Sequence, residues 1–393
     1  MCPTHNPTSE IDLLRERNNQ GVEFGLHAGK KLVMSAPPDP LDIVGRPAAH
    51  LLGLELVDGW RVIACYTPPP GSTGGTFSIG YIAERSVDQK AEYAFVKALD
   101  FSRWSELGIP QVDAINIMTG AYIFERDVVV ECATRRMSNV VRGIGHGEIE
   151  VGNGPIKKVS YLIFERADDD VRTRLDAMAV FDVAWALRVL HHVANGLRQL
   201  HGAGIAHQDV KPSNVLMFPE ASKLGDLGRA FHQGKVSPHS GLPIQGDSLY
   251  APPECLYGFN EPDNVLRSRE ADAYHLGSMI MFMFAKVGAT LAMLTNHLDP
   301  AFRPGVWAGT FDQVLPHVRA AFDEAILTLE SLVPDFLCTE VSVLVRQLCD
   351  PEPAVRGNPK VEARNPRRYS MEYYVSKLDN LARKAELELR GTL

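Results

Sequence analysis

The run His207-Gln208-Asp209-Val210-Lys211-Pro212-Ser213-Asn214 places a carboxylate, an ammonium and an amide within one short stretch of chain. Each type has a use in moving a phosphoryl group. Asp209 can orient a hydroxyl nucleophile and accept its proton. Lys211 can neutralise charge on the group being transferred. The amide oxygen of Asn214 can bind a hard cation. Twelve residues further on, Asp226 stands in Leu224-Gly225-Asp226-Leu227-Gly228. An Asp before an apolar residue and a glycine can offer its carboxylate from a turn. Two oxygen donors on separate loops, completed by substrate phosphates, suit Mg²⁺.

These loops need elements to hold them. Upstream of Asp209, Ala184 to His201 carries Leu187, Leu190, Val193, Leu197 and Leu200 at spacings of three and four, one apolar face of a helix. Between Asn214 and Asp226, Val215–Met217 and Ser222–Leu224 predict a short hairpin. Earlier in the chain, Trp60 to Tyr66, Tyr93 to Leu99 and Tyr161 to Phe164 read as strands, and Phe124 to Met137, free of Gly and Pro, as a helix. Later come helical stretches at Leu276 to Leu294, Val318 to Leu332, Val341 to Leu348 and Ser370 to Leu389. The pattern predicts an α+β chain: a small half built on a mostly antiparallel sheet, then a larger helical half. Residues 1–55, broken by Pro37, Pro38, Pro40 and Pro47, read as an extension; residues 56–167 form the small half and 168–393 the large one.

Composition narrows the function classes. The chain has 393 residues, 45% of them apolar, enough for a sizeable core. The formal net charge of −8 argues against nucleic acid as the main partner. Six scattered cysteines match no zinc spacing, and such thiols suit a reduced, cytoplasmic protein. Met1 to Glu10 is polar and predicts no signal peptide. Leu276 to Thr295 has the length of a membrane span, but Lys286 at its middle predicts a buried soluble helix instead. Four histidines, His191, His192, His201 and His207, do not converge at helical spacing, so packing or hydrogen bonding is expected of them rather than metal ligation.

These segments together resemble the protein kinase superfamily. His207 to Asn214 resembles its catalytic loop, Asp226-Leu227-Gly228 its D-F-G, Pro252-Pro253-Glu254 its A-P-E, and Ala94-Phe-Val-Lys97 its V-A-I-K, in the family's order across residues 56–385. The resemblance implies a bilobal fold, a β-rich N-lobe and a larger α-helical C-lobe. It implies Mg²⁺ and ATP as cofactors and a protein hydroxyl, of Ser or Thr, as acceptor, with Lys211 the main argument for that acceptor. By the same resemblance Lys97 meets the nucleotide's α- and β-phosphates, Asn214 and Asp226 hold the metal, and Glu165 and Ala167 form a hinge that binds adenine through backbone groups, with Phe164 as gatekeeper. Asp272 is expected to anchor the catalytic-loop backbone, and Glu254 to pair with Arg356.

Several positions depart from the family pattern. Gly71 to Gly80 is glycine-rich without a clean GxGxxG; with Phe77 at the loop tip, Gly75 takes the middle glycine position and Gly74 lies beside it. Phe124-Glu125-Arg126-Asp127 resembles the F-x-x-E opening of the regulatory helix, which makes Asp127 the partner of Lys97, with Glu131 as rival. Gln208 replaces the arginine that commonly reads a phosphate on the activation loop, so loop phosphorylation is not expected to be required. Asp247 stands where Ser/Thr kinases carry a threonine. The motif style resembles bacterial members, with control left to an operon partner or bound protein. Two other readings remain open at this stage: a pseudokinase scaffold, and a small-molecule phosphotransferase.

Overall fold

The computed structural model describes residues 45–67, 77–153, 157–362 and 365–391. The small lobe is a five-stranded antiparallel sheet: β1 (Arg61–Cys65), β2 (Ser78–Val87), β3 (Lys90–Leu99), β4 (Gly143–Glu150) and β5 (Lys158–Glu165), in the order β1-β2-β3-β5-β4. One long helix, α1 (Gln111–Thr134), crosses between β3 and β4. β3 is central, with Lys97 opposite Gly80 on β2 and Leu162 on β5. Alternate residues Ala94, Val96 and Ala98 point into an apolar cluster with Tyr81, Ala83, Tyr161 and Ile163, and the pleat turns Lys97 to the other face. Ala48 and Leu51 also belong to that cluster, so the lobe's core starts N-terminal to Leu56.

Two strands of this sheet escaped the sequence reading. β2 begins inside the glycine-rich run, and β4 reads Gly-Ile-Gly-His-Gly-Glu-Ile-Glu, poor in β-branched residues. Its glycines have a packing reason: a Cβ at Gly147 would lie 2.6 Å from the Tyr161 hydroxyl. Likewise α1 starts at Gln111, well before Phe124, because Gly120 in mid-helix is tolerated.

The large lobe opens with β6 (Asp169–Asp170) and α2 (Val171–Asp176), then α3 (Val183–Gly202), capped by the Asp182 side chain, which accepts from Trp185 N. β7 (Ile205–Ala206), β8 (Val215–Met217), β9 (Ser222–Leu224) and β10 (Phe231–His232) follow; β8 and β9 form the expected hairpin, and β10 pairs with β7. α4 (Pro253–Leu256) leads to α5 (Asn264–Ala285), then α6 (Phe311–Glu330), α7 (Asp335–Cys349) and α8 (Met371–Gly391).

The helix expected over Leu276 to Leu294 is divided. α5 ends at Lys286, whose φ of 56° is left-handed, and a short helical stretch restarts at Ala289. No single described helix is long and apolar enough to cross a membrane; α5 passes such a test only jointly with Ala289–His297, bent from it by 75°. α5 is buried along most of its length, from Ser268 to Met283.

The inner face of α1, Phe124, Val128, Val129 and Cys132, is part of the large lobe's apolar cluster, together with Val141, Leu224 and Leu227. Far below, Arg356 is fully buried and donates to both carboxylate oxygens of Glu254, at 2.7 and 2.8 Å. This ties the Pro-Pro-Glu segment to the loop after α7, as the resemblance implied.

Candidate active site

The loop from His207 to Asn214 hangs from α5. Asp272, fully buried, accepts from the backbone N–H of His207 at 2.8 Å and of Gln208 at 2.7 Å. His201, at the end of α3, reaches the same carboxylate at 2.8 Å. Burial alone would raise the Asp272 pKa, but these partners outweigh it and hold it low. Gln208 sits at φ 63°, a left-handed conformation that the two anchored amides enforce. His207 Nε2 bonds the Gly225 carbonyl at 2.9 Å, which stitches the Asp209 loop to the turn before Asp226.

Asp209 is held on both carboxylate oxygens. Oδ1 accepts from Asp247 N at 2.8 Å and Oδ2 from Asn214 Nδ2 at 3.0 Å. Lys211 Nζ lies 3.3 Å from Asp209 and 3.1 Å from Asp247, so one ammonium is shared by two carboxylates. The Asp209 pKa is raised, first by burial, which outweighs the lowering effect of Lys211. A raised pKa makes the group a better proton acceptor. Gly246 allows the close approach: a Cβ there would stand 2.3 Å from the Gln208 carbonyl oxygen.

The second half of the site comes from the small lobe. Lys97 Nζ donates to Glu125 at 2.7 and 2.9 Å and to Asp226 Oδ1 at 3.0 Å. Burial pushes the Lys97 pKa down, but Asp226 and Glu125 together raise it, so it stays charged; Lys97 in turn lowers Asp226. Asp226 itself has φ 57°, a left-handed residue ahead of Leu227-Gly228.

The partner of Lys97 is therefore Glu125, which corrects the expectation of Asp127 or Glu131. Two residues along a helix is a rotation of about 200°, so Asp127 faces away from Glu125. Asp127 meets Arg126 at 2.8 Å, and Glu131 meets His232 at 3.0 Å. A signal for Glu125 existed in the sequence: it lies three, four and seven residues before Val128, Val129 and Cys132, on the apolar stripe of α1. A carboxylate on the buried face needs a partner, and Asp127 is off that face.

At the strand end, the Glu165 side chain is engaged structurally, accepting from Lys223 Nζ at 2.7 and 2.8 Å and from Arg142 N at 2.7 Å. Ala167 lies beyond the last β3–β5 pair, Ala94 with Glu165, and Phe164 is buried just before it. Phe77 immediately precedes β2, its carbonyl accepting from Asp100 N at 2.9 Å. Gly74 and Gly75 lie outside the described residues.

Residues 120–296 match the family described as "Protein kinase domain". The matched stretch, a little under half of the chain, is similar to a protein kinase domain. The architecture of the chain, five antiparallel strands over a helical lobe, is the bilobal kinase fold expected from the sequence. Among curated relatives it is similar to "MAP kinase kinase kinase mkh1" of Schizosaccharomyces pombe, at 24% identity over 48% of this chain and 17% of that protein. It is also similar to "Serine/threonine-protein kinase PTK2/STK2" of Saccharomyces cerevisiae, at 30% over 42% and 22%, and to "Probable serine/threonine-protein kinase pknA2" of Bifidobacterium longum, at 26% over 37% and 19%. The chain spans about a fifth of the length of these relatives. They come from yeasts and a bacterium alike, so the lineage suggested by motif style is not decided by them.

The matched kinase segment begins within α1, after Lys97, so the β3 lysine joins the site through geometry: it spans from the sheet to Glu125 and Asp226, both inside that segment. Sequence reasoning also passed over His201 as a second support for Asp272. The four histidines make hydrogen bonds: His191 Nδ1 to the Val375 carbonyl at 3.2 Å, His192 Nδ1 to Ser222 Oγ at 3.2 Å, and His201 and His207 as above.

Proposed function

We propose that the protein transfers the γ-phosphoryl group of ATP to a Ser or Thr hydroxyl of a protein substrate. The observation that carries this reading is the Lys97 ammonium seated between Glu125 and Asp226, above an Asp209 whose two oxygens are already oriented. Lys97 would bind the α- and β-phosphates, and the backbone of Ala167 and the carbonyl of Glu165 the adenine. The acceptor oxygen attacks the γ-phosphorus, the bond from that phosphorus to the bridging oxygen breaks, and ADP leaves with the electron pair. Asp209 takes the hydroxyl proton. Lys211, beside it, offsets charge on the phosphoryl oxygens.

The donor set fits a magnesium ion. Asn214 uses its Nδ2 on Asp209, which leaves its amide oxygen for a cation, and Asp226 has a second carboxylate oxygen beyond the one bonded to Lys97. No group of three or more His, Cys, Asp and Glu forms a metal cluster among the described residues, so phosphates and water would complete the shell. Bound there, Mg²⁺ would screen phosphate charge during transfer.

The Ser/Thr preference rests on Lys211 in the catalytic loop. The five described cysteines are unpaired, which supports action in a reducing, cytoplasmic compartment. The test is transfer of labelled γ-phosphate from Mg·ATP to the protein itself and to a basic protein acceptor, followed by acid hydrolysis to identify the labelled residue. Asp209→Asn is expected to lower kcat by about 10³-fold, within the range of a lost general base. Label unchanged in that variant would take the base role from Asp209, and a wild type that neither binds nucleotide nor transfers label would move the reading to a scaffold.

A further inference from the structure

Two side chains of the segment after Asp226-Leu227-Gly228 reach back to α1. His232 Nε2 lies 3.0 Å from Glu131 Oε2, and Lys235 Nζ 4.0 Å from Asp127 Oδ2. The other ring nitrogen of His232, Nδ1, accepts the Gly234 N–H at 2.9 Å. A ring nitrogen that accepts carries no proton, so the neutral imidazole keeps its proton on Nε2, aimed at Glu131. The bond is therefore one that the neutral ring can make. Glu131 is ready to accept: burial raises its pKa, but the bonds from His232 and from Arg135, at 3.0 Å, outweigh that and lower it. The charged groups facing this pair are Arg135 and Asp127 on α1 and Lys235 on the segment, with Arg126 engaged on Asp127.

The location gives the contact a consequence. His232 is on β10, opposite Ile205 of β7, which runs directly into the catalytic loop at His207. Glu131 is on the same helix as Glu125. One hydrogen bond thus links the strand beside Asp209 to the helix that supplies the partner of Lys97. Meanwhile the position that would read a phosphate on this segment holds Gln208, whose Nε2 reaches the Arg229 carbonyl, at 3.4 Å. The Arg229 guanidinium faces His239 Nδ1 at 3.1 Å.

Resting on the kinase reading above, we infer that the His232–Glu131 hydrogen bond is a built-in latch: it positions α1, and so Glu125 on Lys97, in place of a phosphorylated activation-segment residue. His232 and Glu131 are positioning residues in this scheme, and neither touches substrate.

The full chain is assayed as wild type, Glu131→Ala, His232→Phe, the double variant, and His232→Gln, whose amide can still donate to Glu131. Each disabling single variant is expected to lower kcat by about tenfold, the size of one coupled contact, with KM for ATP nearly unchanged. The double variant should be no worse than the lower single, and His232→Gln should restore most of the rate. Phosphatase treatment of the wild type should leave its rate intact. In ¹⁵N spectra His232 should show a bare Nδ1 and a protonated Nε2. The latch is overturned by equal losses in His232→Phe and His232→Gln, by losses that multiply in the double variant, by the opposite tautomer, or by inactivation with phosphatase. A wild type that transfers no phosphate sinks the kinase reading and not the latch. Amide exchange in α1 then decides: faster in His232→Phe than in His232→Gln supports it, equal rates overturn it.

Discussion

The Asp209 end of the site and the Lys97 end differ in how they are held. Asp209 belongs to one continuous loop, fixed from below by a single buried carboxylate, Asp272, that collects two backbone amides and a histidine. The Lys97 end is assembled from three separate elements, β3, α1 and the turn at Asp226, and its geometry rests on side-chain ion pairs between them. The first is a rigid floor whose loss should disturb folding. The second is a joint whose loss should disturb catalysis and leave the fold nearly intact.

The largest expected effect lies in the floor. Asp272→Ala leaves two buried amides and His201 without their acceptor and should cost about 3–5 kcal/mol of stability, abolishing transfer as well. Urea unfolding with the transfer assay checks it; a stable but inactive variant would erase the contrast between the two ends. Close behind comes an acid sensitivity of the same floor. His275, three residues after Asp272, is fully buried, and burial lowers its pKa from the ordinary 6.5 to about 4. Between those values the unfolded chain takes up a proton that the folded one refuses. Stability should therefore fall as pH drops from 6.5 towards 4, by up to about 3 kcal/mol, and His275→Gln should flatten that slope. Unfolding curves at pH 7 and 5 for both proteins measure it. At the joint, Glu125→Gln should lower kcat/KM by about 100-fold with little change in unfolding midpoint, since it displaces Lys97 rather than the core. Asp127→Asn should change the rate less than about fivefold, as for an exposed ion pair. A larger loss at Asp127 than at Glu125 would reverse the assignment of the Lys97 partner.

The same division separates what could be read in the sequence from what could not. The Asp209 loop, the Asp226 turn and the hairpin between them are local: their spacing along the chain is nearly their spacing in space. The partner of Lys97 was missed because the reading matched Phe124 to Asp127 against a four-residue template, whereas burial of the α1 stripe selects Glu125. The strand β4 was missed because three glycines erase its periodicity, and those glycines answer to neighbours, Tyr161 and Val129, that no local pattern names.

The sequence by itself determined the two-part build and the residues able to carry phosphoryl transfer, because hydrophobic period and short motifs act over a few residues. Only the tertiary structure decided which carboxylate meets Lys97, that Asp209 shares its lysine with Asp247, and that His232 reaches Glu131. Those pairs join residues 28, 36, 101 and 129 positions apart in the chain. Such contacts depend on how packed elements are rotated against each other, and a rotation of one residue on α1, about 100°, exchanges one carboxylate for another.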